Sequence, residues 1–191
     1  LQGKTLLNLD SEAEGELYVG CAGGVDTTAK FPYTPVEVDE DDIAVKISIK
    51  GCKGGHSGCD IHLQRANANK LLFRFLKEAV AHYEARLAYV EGGSLRNAIP
   101  REAAAIITIP VEALDEIMDL AADFESLFIA EYDGIEDNIQ LTAEQVDCPT
   151  TELPEDVQDF LIHAITACPH GVYRVIPEMP DVVETSNNLA M

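Results

Sequence analysis

The pattern of apolar and polar positions predicts four strands and two long helices within residues 43–146. Residues 43–50 (IAVKISIK) alternate with period two, which is typical of a half-buried strand. Three further strands are predicted at 86–93, 103–111 and 138–146. The apolar positions that share one face of the first strand are Ile43, Val45, Ile47 and Ile49.

Two segments between these strands, 68–87 and 111–132, have apolar residues at the i, i+3, i+4 spacing of amphipathic helices. The resulting order β-α-β-β-α-β predicts a ferredoxin-like α+β fold, in which one antiparallel sheet carries two helices on one face. A third helix is predicted at 154–168, because Pro154 and acidic residues suit a helix N-terminus. Two further strands are predicted at 171–176 and 182–191.

Composition narrows the classes of partner. Lys and Arg number 13 against 34 Asp and Glu among the 191 residues, a net charge of −21 that repels nucleic acid and anionic lipid. No apolar run approaches the roughly 20 residues that span a bilayer. The five cysteines form no CxxC pair and are expected to be reduced thiols. We therefore expect a cytoplasmic protein without nucleic-acid or membrane partners.

The segment KGCKGGHSG (50–58) places His56 in a glycine-rich loop directly after a predicted strand. Gly54, Gly55 and Gly58 permit backbone conformations that let such a loop approach a ligand closely. An imidazole presented there can donate a hydrogen bond to a developing oxyanion. The alternative is a glycine-rich turn with an ordinary surface histidine, and the residues alone leave both open.

Two more polar residues have both a chemical and a plain structural interpretation. Asp10, at the end of a predicted strand, has a carboxylate that can bind zinc, although such a residue is also a common turn former or helix cap. The amide of Asn97 can bind a carboxylate or carbonyl, although it also suits a turn ahead of Pro100. The acidic run 39–42 lacks the spacing of a calcium loop and indicates a solvated face.

Four segments together resemble the bacterial aminoacyl-histidine dipeptidases, which split Xaa-His dipeptides such as carnosine and are co-catalytic dizinc exopeptidases. They are DSEAEGELYVGCAGG (10–24), KGCKGGHSGCDIH (50–62), GGSLRNAIPRE (92–102) and VETSNNLAM (183–191). The resemblance covers nearly the whole chain. It implies a lid domain inserted into a two-zinc catalytic domain.

The same resemblance implies roles for five residues. Asp10 matches a zinc ligand, and His56 matches the lid histidine that stabilises the tetrahedral oxyanion, reaching the partner's site in dimeric relatives. Asn97 matches a polar lid residue near the substrate. Ser186 and Asn187 are expected to border the cleft as substrate-binding residues. A homodimer formed through the lid is the implied assembly.

Domain boundaries follow from the resemblance. Residues 1–35 are expected to be a catalytic-domain stub and connector, and residues 36–147 the ferredoxin-like lid domain. Residues 148–191 are expected to be a lid extension, the truncated start of a second lid lobe.

Several of the family's ligand motifs have no match in the sequence. Its HxD motif and Glu-Glu pair are expected before Leu1, and its substrate-carboxylate arginine and final ligand histidine after Met191. A two-zinc hydrolase needs such ligands and a general-base Glu. We therefore expect the chain to be the lid and substrate-binding fragment of a zinc dipeptidase, itself inactive and binding no zinc. The alternative is a free-standing ferredoxin-like binding or dimerisation module without catalysis.

Overall fold

The computed structural model describes residues 3–5, 14–18 and 22–191. The regular elements of this part of the chain are, in order, β1 (Val36–Glu37), β2 (Asp42–Lys50), β3 (Gly55–His56), α1 (Ala68–His82), β4 (Arg86–Gly92), β5 (Ala98–Ile99), β6 (Ala103–Pro110), α2 (Leu114–Glu131), β7 (Gln140–Val146), β8 (Thr151–Glu152), α3 (Glu155–Ala167), β9 (Gly171–Ile176) and β10 (Met179–Asn187). Short 3-10 turns precede α1 and α2 at Ile61–Leu63 and Val111–Ala113.

The largest sheet has four antiparallel strands in the order β4-β6-β2-β7. The elements that build it follow one another as β2-α1-β4-β6-α2-β7, which is the predicted split βαβ arrangement. Three two-stranded pairings accompany it: β1 with β8, β3 with β5, and β9 with β10. The predicted α+β fold is confirmed.

Alternation along the strands determines which sheet face the helices cover. Val45, Ile47 and Ile49 of β2 are buried in the main core, whereas Lys46 and Lys50, on the opposite face of the strand, are exposed. Burying one large aliphatic or aromatic side chain stabilises the fold by about 1.5–3 kcal/mol. The side chains that α1 buries in this core are Ala68, Leu71, Leu72, Phe73, Phe75, Leu76 and Ala79.

Helix α2 buries a narrower stripe than its sequence predicts. Ile117, Ala121 and Phe128 are in the core, but Met118 and Leu127, which the spacing also assigned to the apolar stripe, are 41% and 43% exposed. One helix face about 100° wide is enough to cover a sheet, so residues on its two flanks remain outside. Met118 and Leu127 lie at the two edges of the apolar stripe and are therefore only partly covered.

Helix α3 packs against α1 and covers the outer edge of β4. The Gln158 side chain is 1% exposed, and its Oε1 accepts a 2.6 Å hydrogen bond from the Leu87 N–H. The Leu87 carbonyl accepts the Leu153 N–H at 2.8 Å. Because unpaired backbone groups on a strand edge are costly when buried, these bonds close the β4 side of the sheet.

The β9–β10 hairpin extends from this body with most of its side chains exposed, among them Tyr173 and Met179. Its register shifts between Met179 and Ser186, so the two strands pair irregularly. No helix in the described ranges is long and apolar enough to cross a membrane.

We predict that Gln158→Leu lowers the free energy of unfolding by about 1–3 kcal/mol, because it leaves the buried Leu87 N–H without an acceptor. Urea unfolding followed by circular dichroism measures this change. The control is His163→Leu at an exposed position of the same helix, where the effect should stay within about 0.5 kcal/mol. Equal effects of the two substitutions would contradict the assigned role of Gln158.

Candidate functional site

Glycine conformations bring the loop after β2 close to the backbone of β5. Gly54 and Gly55 have φ values of +62° and +143°, which L side chains rarely adopt. A Cβ on Gly54 would lie 2.9 Å from the Ile99 carbonyl oxygen, and one on Gly55 would lie 2.7 Å from Asp60 Oδ2. Only glycine fits at these two positions, and the loop can therefore pair with β5.

A buried carboxylate fixes the base of this loop. Glu136 is 9% exposed, and its two oxygens accept the N–H of Lys53 at 2.7 Å and that of Ala66 at 2.9 Å. The Lys53 ammonium also donates to the Ile135 carbonyl at 2.6 Å. Charge-assisted bonds of this kind are stronger than neutral ones. The loop is thus tied both to residues 135–136 and to the segment that precedes α1.

The His56 ring is exposed, but its orientation is set by its own loop. Its Nδ1 accepts hydrogen bonds from the Gly58 N–H at 3.0 Å and the Cys59 N–H at 3.1 Å. A nitrogen that accepts two N–H groups carries no proton, so the neutral ring is protonated at Nε2. The loop therefore presents an Nε2–H donor, as an oxyanion would require.

Asn97 lies directly beside this loop. Gly55 and His56 of β3 pair with Ile99 and Ala98 of β5, and the Ser57 N–H donates to the Asn97 carbonyl at 2.9 Å. The Asn97 side chain is exposed. His56 and Asn97, which are distant in the sequence, thus lie close together where β3 pairs with β5. The sequence alone did not predict this proximity.

The other predicted site residues are placed differently. Ser186 is exposed and pairs with Val172, on the irregular hairpin. Asn187 is exposed, and its amide Nδ2 donates to the Pro169 carbonyl at 2.5 Å. Asp10 lies outside the described residues.

Sequence reasoning missed Asn188, which contacts the paired strands that carry His56. Its Nδ2 donates to the Ala98 carbonyl at 2.8 Å, while its Oδ1 is buried without a hydrogen-bond partner among the described residues. The available signal was the repeated asparagine in TSNN, whose first member was selected instead. Which of two adjacent amides faces the loop depends on the register of β10, and the register shifts there.

A second polar group holds the segment that follows Asn188. Asn67, 1% exposed, caps α1 by accepting the Lys70 N–H at 3.2 Å and uses Nδ2 to contact the Leu189 carbonyl at 2.9 Å and His170 Nδ1 at 3.1 Å. The Lys70 ammonium donates to three carbonyls at the end of α3. Burial, together with the nearby Lys70 charge, lowers the pKa of His170 to about 4.

A cavity of about 690 Å³ opens beside the β3–β5 pairing, on the sheet face away from the helices. Lys46, Lys50 and Arg101 line it together with Glu91 and Glu102, so cations are locally more frequent than in the chain as a whole. Within the ranges 3–5, 14–18 and 22–191, no group of three or more His, Cys, Asp or Glu side chains is placed to hold a metal ion. These residues therefore do not form a metal centre.

Comparison with known proteins shows that the chain is similar to peptidases. Residues 47–136 match the family described as the peptidase dimerisation domain. The chain is 39% identical to the cytosol non-specific dipeptidase of Escherichia coli (strain K12), over all of this chain and 39% of that protein. It is therefore similar to a relative of which it spans well under half the length.

The fold is similar to a solved structure of the same class. The aminoacylhistidine dipeptidase from Vibrio alginolyticus superposes with a TM-score of 0.81 at 41% identity, over 84% of this chain and 33% of that one. The predicted resemblance to the aminoacyl-histidine dipeptidases is confirmed by these similarities.

We predict that His170 contributes to a loss of stability in mild acid. The histidine pKa is about 6.5 in an unfolded chain and about 4 in the fold, so between these values the unfolded state binds more protons. The stability that the neutral His170 contributes is therefore fully present above about pH 6.5 and is lost as the pH drops towards 4.

His170→Gln should make urea midpoints measured at pH 7, 5.5 and 4.5 less dependent on pH than those of the unmodified chain. His163→Gln, on the exposed face of α3, is the matched control and should leave the pH dependence unchanged. Identical pH dependences for all three proteins would contradict the assignment.

Proposed function

Because residues 47–136 match a peptidase dimerisation domain and the whole chain is similar to dipeptidases, we propose that it is the lid of a zinc-dependent dipeptidase. The observation that carries the proposal is the His56 ring, whose Nδ1 is occupied by the Gly58 and Cys59 N–H groups. The E. coli relative is described as a cytosol protein, which supports a cytoplasmic location.

In this proposal His56 acts on the carbonyl oxygen of the scissile peptide bond. That oxygen gains negative charge as water adds to the carbonyl carbon, and the Nε2–H donates a hydrogen bond to it. A donor that is already oriented stabilises the developing charge without reorganisation at the moment of reaction. The loop supplies this orientation by fixing both the ring nitrogen and the backbone of His56, whose N–H donates to Asp60 Oδ2 at 2.8 Å.

The substrate proposed is a dipeptide, with Asn97 binding one of its polar groups. A dipeptide has a terminal carboxylate, which suits the cationic side of the adjacent cavity at Lys50 and Arg101. Ser186 and Asn187 are proposed to border the cleft. Dipeptides that end in histidine are the proposed preferred substrates, in keeping with the name of the Vibrio relative.

Zinc chemistry is proposed for the complete enzyme, which would hold two ions. Bound zinc supplies an activated water at neutral pH. Asp10 is the proposed ligand from this chain, and the described residues do not provide a metal centre. We therefore propose that residues 1–191 alone hydrolyse no dipeptide.

A homodimer is the proposed assembly, and the surface beside β7 supports it. Helix α2 exposes Met118 and Ile129 on one flank, the flank on which Glu125 Oε1 accepts the Leu141 N–H of β7 at 3.1 Å. Strand β7 is an outer strand of the sheet. An exposed apolar stripe next to an open strand edge suits pairing with a second copy across a two-fold axis.

We predict that His56→Ala in the complete dipeptidase lowers kcat about 10²- to 10³-fold, because one oxyanion donor is lost, with little change in KM. Steady-state hydrolysis of β-alanyl-histidine and of an unrelated dipeptide measures the effect and tests the preference. His62→Ala, an exposed histidine of the same segment, is the control. Full turnover by His56→Ala would refute the proposed role and favour a non-catalytic binding or dimerisation module.

We predict that the 191-residue chain is dimeric and that the double substitution Met118→Glu and Ile129→Glu makes it monomeric. Four buried charges at one two-fold interface would repel each other and lose hydration. Sedimentation equilibrium gives the mass. Leu127→Glu is the matched control, because Leu127 is equally exposed but lies on the opposite flank of α2. A monomeric unmodified chain, or a dimer that survives the double substitution, would exclude this interface.

A further inference from the structure

We infer that Asn188 is a positioning residue for His56. Its amide ties the chain that follows β10 to the strand pair that carries the histidine. The inference rests on the proposed function, since it assigns to Asn188 the orientation of the oxyanion donor.

The hydrogen bonds between β3 and β5 leave the Ala98 carbonyl without a partner in β3. Ser57 opposes Asn97 and donates to its carbonyl, so the adjacent pair of His56 and Ala98 does not exchange ladder bonds. The His56 backbone bonds to Asp60 instead, at both its N–H and its carbonyl. The Ala98 carbonyl points away from β3, and Asn188 Nδ2 satisfies it at 2.8 Å.

The residues on both sides of Asn188 are hydrogen-bonded to other parts of the chain. On one side Asn187 Nδ2 donates to the Pro169 carbonyl, and on the other the Leu189 carbonyl accepts from the buried Asn67 amide. A Cβ on Gly93 would lie 1.8 Å from the Ala190 carbonyl oxygen, so residues 93 and 190 are in direct contact. An amide anchored on both sides can restrain the strand that it contacts.

Few other contacts can replace the hydrogen bond from Asn188 to the Ala98 carbonyl. A strand pair only two residues long has few ladder bonds of its own, and isolated two-stranded pairings are marginal in water. Without Asn188 the Ala98 carbonyl would lose its partner, and β5 would be restrained mainly by its ends. Because the Ser57 N–H ties the loop to Asn97, the whole loop would shift and carry the His56 ring, still oriented within the loop by the Gly58 and Cys59 N–H groups, out of its direction.

The experiment replaces the amide donor by an isosteric acceptor. Asn188→Asp places a carboxylate oxygen against the Ala98 carbonyl, where two acceptors repel. Hydrogen exchange of the Ser57 N–H, measured by NMR on the 191-residue chain, should become about tenfold faster, the equivalent of one lost hydrogen bond. Gln145→Glu, the same amide-to-carboxylate change at an exposed position of β7, is the matched control and should leave Ser57 exchange unchanged.

A second arm separates positioning of His56 from general support of the fold. In the complete dipeptidase, Asn188→Asp should lower kcat about tenfold at unchanged KM. In a His56→Ala background the same substitution should have no further effect on kcat, since the ring whose direction it controls is gone. If Asn188→Asp fails to fold, Asn188→Ala removes the donor without adding a charge.

Unchanged Ser57 exchange would overturn the inference, and so would a loss of kcat that adds fully to that of His56→Ala. If His56→Ala itself retains turnover, the proposed function fails, and Ser57 exchange alone then decides whether Asn188 restrains β3.

Discussion

The short pairing between Gly55–His56 and Ala98–Ile99 is the interaction on which the candidate site depends. It joins the glycine-rich loop after β2 to the connection between β4 and β6, at the same end of the sheet, and it places Asn97 beside Ser57. Two residues per strand provide little stability by themselves. The surrounding structure therefore has to hold the pair from outside, and most of the buried polar contacts of this region do so.

Carboxylates provide much of that support in a chain of net charge −21. Glu136 accepts two backbone N–H groups under the loop, Asp60 accepts the His56 N–H, and Glu125 accepts the Leu141 N–H at the edge of the sheet. Each forms a charge-assisted bond to the backbone, and Asp60 Oδ2 also lies 3.7 Å from the Arg65 guanidinium. Some of the acidic side chains that give the chain its negative charge therefore also have an internal structural use.

Asparagine amides form the corresponding hydrogen bonds to the backbone where residues 187–190 pack. Asn67, Asn187 and Asn188 donate to the carbonyls of Leu189, Pro169 and Ala98, which belong to three different segments of the chain. An amide can donate and accept at once without the desolvation cost of a buried charge, so it suits the junction of several loops. His170 belongs to the same junction and stays neutral there because burial depresses its pKa.

The sequence by itself determined the strands and helices of the ferredoxin-like sheet, since periods of 2.0 and 3.6 are local properties of the chain. The resemblance also drew attention to His56 and Asn97, through motifs that are contiguous in sequence. Only the tertiary structure decided which flanks of α2 stay exposed, which ring nitrogen of His56 is occupied, and that Asn188 rather than Asn187 faces the loop. These depend on packing and register between distant segments, and a periodic pattern contains no information about which backbone group a single amide will reach.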